Sequence, residues 1–92
     1  MDRKNDISQI HYESDKFLVP FLLICPELQF LGTEKRGTTV YFKFTPYDKT
    51  QEAINSYFNR TAPLVHAKDL FDSTERFRNE IYKTLKLPIE EG

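Results

Sequence analysis

A chain of 92 residues with a formal net charge of −1 is long enough for one domain. It is too evenly charged for a generic nucleic-acid or membrane-surface binder, whose mark is a strong basic excess. The apolar fraction is modest at 39%, yet 8 Phe and 5 Tyr supply area for a core, each aromatic burying roughly 150–250 Å². The single cysteine excludes an internal disulfide and gives no sign of an oxidising compartment.

Residues 1–13 are mostly polar and carry no sustained periodicity. They are expected to form a flexible N-terminal segment, with 14–92 as a single α+β domain. Ile7 and Ile10 leave open the alternative of one helical turn seated on the body. The apolar run that follows, 17–25, is nine residues long. A membrane-spanning helix needs about 20. Residues 1–16 hold three basic and four acidic side chains, unlike the basic leader of a secretory signal. A cytoplasmic protein without membrane contact is expected.

Ser14 is placed to cap a short helix over this run, with Pro20 in the first turn, where its missing N–H is not needed. A buried strand is the competing reading of so short an apolar run. Cys25 reads as a buried structural thiol.

Residues 28–44 read as a β-hairpin. Two aromatic and β-branched runs flank a three-residue basic turn, Lys35-Arg36-Gly37, whose glycine supplies a positive φ. In the second run Val40, Phe42 and Phe44 share one face, and Tyr41, Lys43 and Thr45 the other. Strict alternation in the first run sets Leu28 and Phe30 on the apolar face and Gln29, Leu31 and Thr33 opposite.

Beyond Pro46, Asp48 with Gln51 has the spacing of a helix-capping box, and Ala53, Ile54, Tyr57 and Phe58 lie on one face of the helix that follows. Leu64-Val65 is a short extended connector, expected to dock through its two apolar side chains. A last helix is expected over about 67–85, with the stripe Leu70, Phe71, Thr74, Phe77, Ile81 and Leu85 inward. Its opposite face offers Asp72–Arg76 and Glu80–Lys83 pairs. Phe71 and Tyr82 flank the stripe, either widening it or serving a partner.

The chemistry of catalysis has no visible seat. His11 and His66 lack companions at metal-ligand spacing, and the glycines form no phosphate loop. No catalytic residue, metal, cofactor or small-molecule substrate is expected. What remains is binding. Lys35, Arg36, Tyr41 and Lys43 interleave basic side chains with an aromatic, a pattern that suits a nucleic-acid backbone and a stacked base. An ordinary soluble hairpin tip reads the same way. The unpaired edges of the hairpin also suit a protein partner or self-association.

The run 31–44, Leu-Gly-Thr-Glu-Lys-Arg-Gly-Thr-Thr-Val-Tyr-Phe-Lys-Phe, is similar to the hairpin of a bacterial and phage family of small proteins of unknown function. The aromatic-Asn step Phe58-Asn59, the short Val-containing connector and the Ile81-Tyr82 step of the last helix extend the resemblance over about residues 14–85. It implies association with bacteria, phages or mobile elements, and brings no catalytic residues. The expected fold is therefore α+β: a short apolar helix, a β-hairpin, and two helices packed on one face of the hairpin. The expected function is a non-enzymatic binding or regulatory module acting by protein–protein contact, as a subunit or inhibitor of a larger assembly. A nucleic-acid-binding accessory is the alternative.

Overall fold

The computed structural model describes residues 9–86, so the expectations for residues 1–8 and for the tail 87–92 lie outside the described residues. The class is α+β, as the patterning predicts. The elements in chain order are β1 (His11–Glu13), α1 (Leu18–Leu23), β2 (Gln29–Arg36), β3 (Thr39–Thr45), α2 (Tyr47–Phe58) and α3 (Ala67–Leu85).

The hairpin is extended to a three-stranded antiparallel sheet of order β1-β3-β2. Part of the segment expected to be flexible supplies the third strand, with His11 opposite Phe44 and Glu13 opposite Phe42. Two anchors hold it there. The Gln51 amide of α2 donates to His11 Nδ1 (2.8 Å), and the opposite ring nitrogen, Nε2, lies 2.7 Å from Glu13 Oε1. Gln51 therefore tethers β1, and the expected capping box is absent. α2 starts at Tyr47 behind a cis Thr45-Pro46 bond, and its N-cap Pro46 has no side chain to give. The first turn is closed instead by Thr50, fully buried, whose amide and hydroxyl both donate to the Pro46 carbonyl (3.0 and 2.8 Å).

α1 is the helix rather than the strand. It is capped by Asp15, not Ser14: Asp15 Oδ1 accepts from the amides of Phe17 (2.7 Å) and Leu18 (2.9 Å), and the Val19 amide bonds the Asp15 carbonyl. Five consecutive residues, Leu18 to Leu22, are buried. A helix apolar all round belongs inside, and α1 packs against both α2 and α3. Leu18, Val19, Phe21 and Leu22 meet Val40, Phe42 and Phe44 of the central strand to form the core. Phe42 and Phe44 are fully buried, and Phe77 of α3 stacks on Phe42 at 5.2 Å.

The connector before α3 does not dock, Leu64 being 99% exposed. α3 keeps its expected bounds, and Phe77, Ile81 and Leu85 of its stripe pack on the core, but the buried face is rotated away from Phe71 and Thr74. Ser73 is buried, whereas Phe71 is 65% exposed. Asp72 pairs with Lys68 (2.9 Å), not Arg76, and Arg76 lies over the Phe30 ring at 5.2 Å. The Lys83–Glu80 pair forms at 3.4 Å. α2 ends in a Schellman motif: the Thr61 amide bonds the Ser56 carbonyl and the Arg60 amide the Tyr57 carbonyl, with Arg60 at φ 62 where glycine is usual.

Candidate functional site

The helices and the buried side chains occupy the face of the sheet that carries Phe42. The candidate site is the other face, and a fault in β2 decides what stands on it. The register runs Phe30 opposite Phe44, then Thr33 opposite Phe42, so one extra residue is accommodated between them. Gly32 adopts φ 107 at this bulge. A bulge reverses the alternation beyond it. Thr33 therefore turns to the helices, where its hydroxyl bonds that of Thr84, and not to the open face as strict alternation predicts.

The turn is tighter than expected as well. Arg36 pairs with Thr39, leaving a two-residue loop, Gly37-Thr38, with the positive φ (64) at Gly37 alone. That is the type II′ pattern, with glycine at the first central position. Lys35 and Arg36 thus belong to β2, on opposite faces. Lys35 pairs with Val40 and shares the helix-facing side. Arg36 shares the open side with Glu34, Thr39, Tyr41 and Lys43. The four residues singled out from the sequence do not form one cluster: Arg36, Tyr41 and Lys43 share a face, and Lys35 leaves it.

Two further residues complete the face. Tyr12 of β1 pairs with Lys43 and stands beside it. The Arg36 guanidinium reaches across the central strand and lies 4.5 Å from the Tyr12 ring centroid and 5.4 Å from that of Tyr41. Its Nε donates to Glu34 Oε2 at 2.8 Å. The Glu34 hydrogen bond, foremost, raises the Arg36 pKa further above its already high value. The cation thus lies within reach of two phenol rings and a carboxylate, with part of its donor fork committed. Leu31, in the bulge, is 38% exposed. Tyr12 and Glu34 were not singled out from the sequence. The signal for Glu34 was Gly32, since a glycine inside a strand pattern marks a bulge. The signal for Tyr12 was the single apolar position between two polar ones in His11-Tyr12-Glu13.

Elsewhere the chemistry is quiet. Cys25 is half-buried, its Sγ donates to the Phe21 carbonyl at 3.3 Å, and burial pushes the thiol pKa up to about 11. It is a thiol, not a thiolate, at neutral pH. His66 sits at the N-cap position of α3, its carbonyl accepting from the Leu70 amide, with no capping bond from its ring. Among the described residues no group of three His, Cys, Asp or Glu side chains converges as metal ligands, and no helix is long and apolar enough to cross a membrane. Comparison with protein-family models, with curated proteins and with solved structures finds no match for the chain.

Proposed function

We propose that the chain is a non-enzymatic protein-binding module whose partner rests on the open face of the sheet. The observation that carries this reading is the Tyr12–Arg36–Tyr41 stack braced by Glu34. Tyr and Arg are the side chains that dominate protein–protein interfaces, because each offers a large contact area with a polar end. Here they are already ordered by one another, so less conformational entropy is lost when a partner docks.

The same geometry weighs against phosphate recognition. Arg36 already has a carboxylate partner, and Lys35 stands on the other side of the strand. The resemblance of the hairpin supports an origin in a bacterium, phage or mobile element, and the proposed module acts in the cytoplasm as a regulatory subunit or inhibitor of a larger assembly. A nuclease-treated pulldown with the tagged chain tests the reading. A stoichiometric protein retained by the wild type and released by Tyr41→Ala supports it. A protein retained equally by Tyr12→Ala and Tyr41→Ala shows that the sheet face is not the working surface.

A further inference from the structure

The helical side of the molecule carries a second surface, independent of the sheet. Phe17, Phe58, Leu70 and Phe71 are 67, 65, 37 and 65% exposed. Between α1 and α3 lies a groove of about 480 Å³, with Pro20, Phe21, Tyr57 and Phe77 among its lining and Phe17 and Leu70 at its sides. Tyr57 packs on Phe21 at 5.3 Å, and Phe58 meets Tyr57 edge-on at 5.3 Å, so α2 continues the apolar surface. Phe71 stands three residues before Thr74 and seven before Arg78, both of which line the groove, and so projects beside it on the same flank of α3. The Thr74 hydroxyl is used within the helix, on the Leu70 carbonyl (3.0 Å), and Arg78 is paired with Glu75 (3.3 Å). The groove therefore offers apolar contact with its main polar groups already engaged.

We infer that a second copy of this chain occupies the groove, making the protein a twofold-symmetric dimer through its helical side. Three observations select this occupant. The first is shape. A twofold interface sets one patch against itself, so projection and recess must lie side by side. Phe17 and Phe71 are the projections, and the groove beside them is the recess.

The second is area. With about 150–250 Å² for each fully exposed aromatic, the four side chains leave roughly 450 Å² of apolar surface open, or about 900 Å² from two copies. Homodimer interfaces are about 65% apolar, so this corresponds to roughly 1,400 Å² in total, the size of a standard stable interface. The third is charge. The rim holds Lys16 and Arg78, with the anions Asp15 and Glu75 next to them in sequence or in contact. Arg78 is matched by Glu75 within each copy, so this pair brings no unpaired like charges together at the contact, and a net charge of −1 puts little long-range repulsion between copies.

Sedimentation equilibrium on the full chain, from about 1 to about 500 μM, tests the inference. The wild type is expected to dimerise in this range. Phe71→Asp and Phe17→Asp, both at exposed positions, are expected to weaken dimerisation at least about tenfold with unchanged circular dichroism. Tyr41→Ala, on the opposite side, is expected to leave it intact. A wild type that stays monomeric throughout overturns the inference, as does a dimer indifferent to both aspartates. Either result leaves the sheet-face reading standing, because the pulldown and its Tyr41→Ala control concern the other side of the molecule.

Discussion

The Ser73 hydroxyl donates a 2.7 Å hydrogen bond to the carbonyl of Pro20, 53 residues earlier in the chain. Ser73 is 5% exposed and Pro20 is buried, so the bond is sealed inside the α1–α3 contact. It supplies a partner to a carbonyl near the start of a very short helix. Ser73→Ala leaves that carbonyl without a partner and is expected to lower stability by about 1–3 kcal/mol, the cost of an unmade buried hydrogen bond. Urea unfolding with an unchanged slope checks this. Thr74→Ala, whose hydroxyl is exposed and bonds only within its own helix, is expected to change stability by less than about 0.5 kcal/mol.

The bulge at Gly32 sets which side chains meet on the open face. A Cβ built there has no atom within 4 Å, so space is not the constraint; φ +107 is. Gly32→Ala is expected to destabilise by about 1–3 kcal/mol through backbone strain alone. If the chain relieves the strain by straightening β2, the register slips and Arg36 leaves the two tyrosines. Amide chemical shifts of residues 33–36 then move far more than those of α3, which distinguishes slippage from simple strain.

The bulge also explains what could be read in advance. The core strand, the bounds of α3 and the burial of Val40, Phe42 and Phe44 follow from periodicity, which a packed core enforces over several residues. The side on which Lys35 and Arg36 stand does not, because one inserted residue reverses every later assignment while leaving composition and hydrophobicity unchanged. His11–Glu13 is too short to show a pattern, and its place in the sheet depends on Gln51, 40 residues away. The buried position of Ser73 rests on a tertiary bond that helical spacing cannot reveal. Asp15 was within reach: it stands two and three residues before the amides it caps, a local arrangement that the adjacent Ser14 obscured.

The bond between His11 and Glu13 gives the sheet an acid sensitivity. The His11 ring, foremost, and the amides of Asp15 and Ser14 hold the Glu13 carboxyl below its ordinary pKa, against the opposing effect of burial. A carboxylate whose folded pKa is depressed stabilises the fold at pH above its unfolded value, about 4.3 for Glu, and that contribution is lost as pH falls through the folded value. The wild type is therefore expected to lose stability on acidification below about pH 4.3 more steeply than Glu13→Gln. The comparison is by chemical denaturation at successive pH values. Parallel curves for the two proteins would show that the pair contributes nothing to the docking of β1.

Arg36 separates the two binding readings most directly. Arginine lies flat on aromatic faces and donates through a fork, and lysine does neither. If the open face holds a protein partner, Arg36→Lys, Tyr12→Ala and Tyr41→Ala are each expected to weaken binding about tenfold or more, since each removes part of one ordered stack. Lys35→Ala, on the helix-facing side, is expected to leave affinity within about twofold. Calorimetry with the captured partner measures all four. Phosphate recognition requires a different pattern. Lys35→Ala and Lys43→Ala would then weaken binding as much as Arg36→Lys does, the tyrosine variants would matter less, and affinity would fall steeply between about 50 and 200 mM salt. On the proposed reading, the match of the Arg36 charge by Glu34 at 2.8 Å is what favours a protein over a phosphate as the occupant of this face.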